Sequence, residues 1–533
     1  MWAMATDDGV VLPWSAQQMQ LRSRLAAWRL RALGLQAGDR LLTWAPSSPR
    51  LPAVYWGAMR AGVVVVPLAL RMTAGVIERI SGRADTTWLA VDSGYGAPDP
   101  AEVGLDHLDV HRLEERTADP DEPFPDDWGA QLDAWPRPDR ESLFEVVFTS
   151  GTTADPKGVM LTHGNVLASI EAFGSLLEPR HQRAVSILPL SHLFEQAPVL
   201  FYGTSLGAEV LYVRSRNPRV IFESLRSLRV TVMVLTPQIL ELFWSALTRE
   251  VERQGRTAQF ERARAIARRL PYRLRRLIFR QLHAQLGGEL SILISSGAYL
   301  PPDLQAAWED VGIAVMQGYG STEMGIVTAN DQWRHPAGTV GKVRLPSTVK
   351  LHPQTSEILV KGPNVSTGYW RDDAATQASR DEDGWTLTGD SGYLTDEGDL
   401  ILSGRLRNII VLPSGLNVFP EDVESALTDH GLSQSVVLET EPGRIEAVVL
   451  PPGATPTIRA DAEPLPERSS EEEAAMRADI DRIVKAANAD LAVHQRIAAW
   501  RLWPEPDFPR THTLKIRRNE VRAWAGDDVA LQV

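Results

Sequence analysis

Along the first third of the chain, apolar positions follow two alternating rhythms. Residues 17–36 carry them at helical spacing and close on Gly38-Asp39, which predicts a helix and a turn. Arg40–Trp44 reads as a strand and Leu51–Arg60 as a helix. The unbroken run Val63–Pro67 reads as a strand buried on both faces and stopped by proline. This β-α-β order predicts a parallel sheet covered by helices. Residues 95–140, rich in Pro and Asp with weak periodicity, read as a loop-rich connector. Phe144–Phe148 follows as a strand and Asn165–Leu177 as a helix; Ala184–Pro189, Val230–Leu235, Leu290–Ile294 and Ala314–Met316 are further strands. From Val349 the pattern changes to short β segments at 358–361, 385–388 and 398–402. Beyond Gly404-Arg405 comes a compact α+β pattern. It has a segment at Asn408–Leu412, a helix at Pro420–Thr428 and strands at Ser435–Leu438 and Ile445–Leu450. A Pro-, Ala- and Glu-rich insert at 451–472, a helix at Glu471–Leu491, a segment at Ile497–Trp503 and the tail Phe508–Arg518 complete it. The expected fold is α/β. A large N-terminal domain of helix-flanked sheets spans 1–403, with a β-rich subdomain at about 340–403. A small, mobile α+β domain spans 404–533.

Composition changes this picture in a few places. The 533 residues are 44% apolar, enough for a large core in more than one unit. A net charge of −13 argues against nucleic-acid binding through a global basic field. With no cysteine, disulfides, thiolate metal sites and a cysteine nucleophile are excluded; any thiol chemistry needs a thiol brought by a ligand. No apolar run is long enough to span a bilayer, and Met1–Val11 carries Asp7 and Asp8 rather than a signal pattern, so a cytoplasmic protein is expected. Only six of the 55 basic residues are lysines, so a lysine marks a place where a compact cation is wanted.

Lys157 is one of them. It closes Phe148-Thr149-Ser150-Gly151-Thr152-Thr153-Ala154-Asp155-Pro156-Lys157-Gly158, where glycine permits a curled backbone and hydroxyls and a cation converge: a cradle for polyphosphate. No Gly-Lys-Ser/Thr ends it and no helix pattern follows, so it is not a Walker A loop. Small polar residues also end two strands, Ser295-Ser296-Gly297-Ala298 and Gln317-Gly318-Tyr319-Gly320-Ser321-Thr322-Glu323, where a parallel sheet gathers its ligands. Glu323 could hold a divalent metal, Tyr319 could stack on a base, and Asp390 is suited to two ribose hydroxyls. Lys515 lies in the tail, where a domain movement could deliver it. Residues 249–280 hold eleven arginines against three glutamates. That segment reads as amphipathic helices broken at Pro271, forming either a solvated face or a contact with an anionic membrane or cofactor phosphates. Gly203-Thr204-Ser205-Leu206-Gly207 fits a hydrolase elbow with Ser205 as nucleophile, but the strand pattern at Val210–Val213 follows where a helix is needed.

Taken in order along nearly the whole chain, these motifs resemble those of the acyl-adenylate-forming superfamily, which includes acyl-CoA synthetases, adenylation domains and beetle luciferases. Thr149–Gly158 is similar to its phosphate loop, Gly318–Glu323 to its aromatic-Gly-x-Thr-Glu motif and Thr388-Gly389-Asp390 to its ribose motif. Gly404-Arg405-Leu406-Arg407-Asn408 is similar to its hinge, and Arg510–Lys515 to its catalytic-lysine motif. The resemblance implies ATP, Mg2+ and coenzyme A as cofactors. It implies catalytic roles for Lys515, Thr322, Glu323 and His192, with Glu323 also the metal ligand. Nucleotide and coenzyme contacts are implied for Thr149, Ser150, Gly151, Thr152, Thr153, Lys157, Gly297, Ala298, Gln317, Gly318, Tyr319, Gly320, Asp390, Arg405 and Gly415. Leu188–Glu195 and the arginine-rich segment resemble long-chain fatty acyl-CoA synthetases, with His192 lining the acyl pocket. The implied substrate is a medium- to long-chain fatty acid or another carboxylate. An acyl-carrier protein is the alternative acceptor, and a second copy of the chain remains open as a partner. Ala154, Asn408, Ser356 and Leu514 depart from the family pattern. None of them removes a group the chemistry requires.

Overall fold

The computed structural model describes residues 1–6, 9–92, 99–117, 125–149, 156–178, 181–214, 218–413, 416–432, 434–441, 443–452, 469–510 and 516–530. Among these residues a nine-stranded sheet runs from Lys342–Val343 through Gly325–Ala329, Ala314–Ser321, Ile292–Ser295, Val232–Leu235, Arg183–Ser186, Glu209–Val213 and Trp2–Thr6 to Gly9–Trp14. Its interior is parallel and its edges antiparallel. A seven-stranded sheet runs Gly368–Tyr369, Lys157–Thr162, Leu143–Thr149, Val64–Pro67, Arg40–Trp44, Trp88–Val91 and Asp109–Arg112.

Both sheets are apolar on both faces, because side chains alternate across a strand and each face here is covered. Val232 and Val234 point into the same core as Ala26, Val54 and Phe173, while Met233 and Leu235 point the other way, towards Leu240, Phe243 and Trp308. Val65 likewise joins the shared core, whereas Val64 and Val66 pack on Ile77 and Ile80. The helices Ala16–Ala32, Arg50–Ala61 and His163–Gly174 therefore lie between the two sheets. Ser15 and Gln18 cap the first of these reciprocally.

A four-stranded antiparallel sheet, Thr348–Leu351, Glu357–Lys361, Thr386–Leu394 and Leu400–Arg405, forms the β-rich part. The last sheet has strands Ser435–Glu441, Arg444–Val449 and Ala499–Leu502. Helices Pro420–Asp429 and Ser470–Asp490 cover one face of it and Arg518–Ala530 the other. No described helix is long and apolar enough to cross a membrane.

The observed elements depart from expectation where pairing rather than pattern decides. The connector at 95–140 contributes an edge strand, Asp109–Arg112, paired in parallel with Trp88–Val91. The N-terminal strands Trp2–Thr6 and Gly9–Trp14 were not signalled; they exist because Glu209–Val213 offers an edge. The segment at 408–412 is a short helical turn, Leu406–Asn408, followed by the two-residue strand Ile410–Val411. Most of the insert expected at 451–472 lies outside the described residues.

Candidate active site

The phosphate-loop motif joins two antiparallel strands. Thr149 faces Lys157 and Phe148 faces Gly158 across the ladder. Ser150, Gly151, Thr152 and Thr153 lie outside the described residues; the loop's exit is held by Arg83, whose guanidinium donates to the Pro156 carbonyl at 2.9 Å. Strand–loop–strand geometry agrees with the absence of a Walker A helix. The ammonium of Lys157 lies 5.2 Å from the centre of the Tyr369 ring, and Tyr369 is carried by a strand that pairs with Lys157–Thr162.

Tyr369 links this cation to the second motif. Its hydroxyl donates to Glu323 Oε1 at 3.4 Å, and Glu323 Oε2 accepts from the Ser321 hydroxyl at 2.8 Å. Burial and the Glu323 carboxylate push the Tyr369 pKa up to about 12, so the ring stays neutral. Thr322 is half-buried beside it. Glu323 sits at the turn of the hairpin formed by Ala314–Ser321 and Gly325–Ala329. That turn requires Gly320, since a Cβ there would lie 1.9 Å from the Gly325 carbonyl oxygen. Gly318 precedes it in the same strand. The Gly318 carbonyl accepts from the Ser296 hydroxyl at 2.7 Å, which ties the two strand ends together. Gly297, with φ +87°, and Ala298 are exposed just beyond. Gln317 is buried, its amide nitrogen donating to Gln305 at 2.8 Å.

Asp390 is the meeting point of the third and fourth motifs. One oxygen accepts from the Tyr319 hydroxyl at 2.8 Å, and the other lies 2.7 Å from Arg405 Nε. The ladder places Asp390 opposite Arg405, so the ribose and hinge motifs are neighbours by strand register. Tyr319 is buried in the small core with Met324, Ile358 and Leu400. Burial first, then the Asp390 carboxylate, holds its hydroxyl protonated. Past the strand, Asn408 Nδ2 donates to Glu421 Oε1 at 2.8 Å, and burial lowers the pKa of the half-buried Arg407. In sum, Thr149 and Lys157, Thr322 and Glu323, Tyr319, Asp390 and Arg405 form one continuous line, with Tyr369 as the link that sequence reasoning missed. Nothing local marks that tyrosine; only the pairing of its strand with Lys157–Thr162 brings it in.

Lys515 and Gly415 lie outside the described residues. Arg510 and Ile516, on either side of 511–515, form an isolated antiparallel bridge. The Arg510 charge partly offsets the burial that raises the pKa of Glu241, which sits on helix Pro237–Arg253. His192 is half-buried where the chain turns into Leu193–Glu195 and then the π-helix Gln196–Tyr202. Two carboxyls are fully buried nearby. Glu145 accepts from Gln196 Nε2 at 2.7 Å, and Glu195 accepts from the Ser186 hydroxyl. Burial raises both pKa values to about 8. The hydrolase alternative is corrected here: a π-helix rather than a strand precedes Ser205, and a strand rather than a helix follows. Its hydroxyl donates to the Tyr202 carbonyl at 2.6 Å.

A cation, a lone carboxylate and a bidentate carboxylate strung along one line suit a ligand with a polyphosphate at one end and a diol at the other. Among the described residues no group of three His, Asp or Glu side chains converges as a metal site. The donor set therefore fits a Mg2+ ion that takes one carboxylate, Glu323, and draws its remaining ligands from phosphate and water.

The family described as AMP-binding enzymes matches residues 8–370. The chain is 27% identical to the long-chain-fatty-acid–CoA ligase FadD15 of Mycobacterium bovis, over 98% of this chain and 92% of that protein. It is 33% identical to long-chain-fatty-acid–CoA ligase 6 of Mus musculus, over 54% of this chain and 45% of that protein. The o-succinylbenzoate coenzyme A synthetase MenE from Bacillus subtilis, solved in complex with ATP and magnesium ion, has a TM-score of 0.72 at 21% identity. The match covers 98% of this chain and 96% of that one, which establishes a shared fold.

Proposed function

The chain belongs to the AMP-binding enzymes, and from that premise we propose that it is an AMP-forming acid–thiol ligase. A carboxylate oxygen attacks the α-phosphorus of ATP and pyrophosphate leaves. The thiol of coenzyme A then attacks the acyl carbon, a thioester forms and AMP leaves. The observation that carries the reading is the line from Lys157 through Tyr369 and Glu323 to Tyr319, Asp390 and Arg405. Lys157 and the donors of the 149–158 loop neutralise the β- and γ-phosphates, and Asp390 receives the ribose hydroxyls. Tyr319 and Arg405 fix the orientation of that carboxylate. Gly297 and Ala298 leave room at the strand end for the base. A Mg2+ ion held by Glu323 would supply further neutralisation of the phosphates. Positioning and fixed charge account for most of the catalysis in such a transfer.

We assign Lys515 to the bridge between carboxylate and α-phosphate. The division between a large lobe, 1–403, and a small one, 404–533, falls at Gly404, on the strand that also holds Arg405. Coenzyme A is the acceptor named for the matched ligases, and Gly415 stands where the resemblance puts the thiol channel.

For the acid we infer a medium- to long-chain fatty acid. The relatives' names support this. So does a cavity of about 30 Å3 lined by Leu177, Pro198, Val199, Val232 and Ile294, where the π-helix meets the inner face of the nine-stranded sheet. At about 10–15 Å3 per water, it has room for a water or two, so an acyl chain would need the lining to part. Exchange of labelled pyrophosphate into ATP, run with carboxylic acids of increasing length, tests the reading. Exchange confined to fatty acids, followed by thioester on adding coenzyme A, is expected; no exchange with any acid overturns it.

A further inference from the structure

The turn at 188–192, which carries His192, lies outside every described strand, yet buried side chains tie it down. Gln196, the first residue of the π-helix, reaches back across the turn. Its Nε2 donates to the Leu190 carbonyl at 2.7 Å and to Glu145 Oε1 at 2.7 Å. Leu190 N donates to the Ser47 hydroxyl at 3.1 Å, and Glu195 accepts from the Ser186 hydroxyl. Glu145, Glu195 and Gln196 are fully buried. One side chain therefore closes residues 190 and 196 on each other and fixes both to Glu145. That residue lies on the strand Leu143–Thr149, which leads into the phosphate loop. Two atoms of the contact are left over: Glu145 Oε2 and Gln196 Oε1 have no partner among the described residues. Leaving buried acceptors unpaired is costly. A proton on Glu145 Oε2 is the donor that Gln196 Oε1 lacks, and it completes a closed acid–amide pair. The surroundings favour that proton. Glu145 faces Gln196 and the phenol of Tyr55, whose oxygen lies 3.3 Å from the Thr43 hydroxyl; neighbouring Glu195 faces Ser186 and the phenol of Tyr212. Neither carboxyl pairs with an arginine, lysine or histidine among the described residues, and burial raises the pKa of Glu145 to about 8.

We propose that Glu145 is a positioning residue for the acid substrate: through Gln196 it holds the His192 turn and the start of the π-helix in place. This rests on the ligase reading above and on His192 lining the acyl pocket, and it adds a residue that itself touches no substrate. Loss of the clamp should disturb the acid side alone. The strand Leu143–Thr149 keeps a neighbour on each side, Lys157–Thr162 and Val64–Pro67, so it stays where it is without Gln196. The turn at 188–192 has no ladder and shifts once Gln196 is gone. The clamp is also sensitive to pH. Below pH 8 the acid–amide pair is complete. As pH rises through 8 the proton leaves, and a carboxylate oxygen then opposes the amide oxygen.

Steady-state thioester formation by the full chain, with a fatty acid and ATP varied in turn, tests it. Glu145→Leu and Gln196→Leu should each raise the KM for the acid about tenfold, the effect of stranding a buried polar partner, while the KM for ATP stays within about twofold of wild type. The double variant should do no more than either single one, because both remove the same contact. Glu145→Gln pairs two amides, accepting from Gln196 Nε2 and donating to Gln196 Oε1, and leaves the core intact. It should keep the wild-type acid KM at pH 7 and lack the rise in acid KM that wild type shows between pH 7 and pH 9. An acid KM unchanged in Gln196→Leu overturns the clamp. So do acid and ATP KM values that rise together, or identical pH profiles for wild type and Glu145→Gln. No turnover of any acid by the wild type overturns the ligase reading itself, and the clamp's role with it.

Discussion

Asp390 holds a tyrosine hydroxyl with one oxygen and a guanidinium with the other. Its substitution is therefore felt at both. Asp390→Asn removes the charge, and the KM for ATP should rise about tenfold or more, the loss expected for a hydrogen bond to a charged group. The melting point should move little, since the Arg405 side chain is 42% exposed and can turn to water. Parallel KM and melting measurements check this; an unchanged KM would remove Asp390 from nucleotide binding. Glu145 makes the opposite case. Its ordinary pKa near 4.5 is raised to about 8 by burial, so the folded protein keeps a proton that the unfolded chain releases across that window. Where the native state binds more protons, stability falls as pH rises. Glu145→Gln keeps an acceptor for Gln196 and removes the titration. The variant's melting temperature relative to wild type should climb from pH 5 to pH 8; a constant difference would mean that Glu145 ionises normally.

The hairpin of Ala314–Ser321 and Gly325–Ala329 is the element on which the site is built, for it carries Tyr319 and leads into Glu323. Its closeness leaves no space for a side chain at position 320. Gly320→Ala is expected to cost about 1–3 kcal/mol of stability by overpacking and to lower adenylate formation further, because Tyr319 and Glu323 shift together. Denaturant unfolding and pyrophosphate exchange read the two effects. Gly297→Ala differs: nothing lies within 4 Å, but φ of +87° costs a residue with a Cβ about 1–2 kcal/mol. At this scale much was legible from the chain itself. Arg40–Trp44 appears as expected, and Leu51–Arg60 differs from the helix Arg50–Ala61 by one residue at each end. Their apolar period and turn residues are local. Trp2–Thr6 and Asp109–Arg112 were not legible, since an edge strand is made by the strand that receives it.

Across the whole molecule, the proposed reaction assigns two lysines distant in sequence to one nucleotide. Lys515→Ala is expected to abolish adenylate formation while a supplied acyl-adenylate is still converted to the thioester; equal loss of both half-reactions would contradict a lysine that acts in only one. The five motifs were recognisable in order because each needs its residue types within a few positions: glycine where the backbone must curl, a carboxylate or lysine where charge is wanted. Those requirements are local, so the sequence by itself determined the chemistry and the α/β class. What joins the motifs is not local. Asp390 meets Arg405 through strand register, and Tyr369 bridges Lys157 and Glu323 through a two-residue strand. Only the tertiary structure could decide these, since each depends on which backbone group a distant segment leaves unpaired.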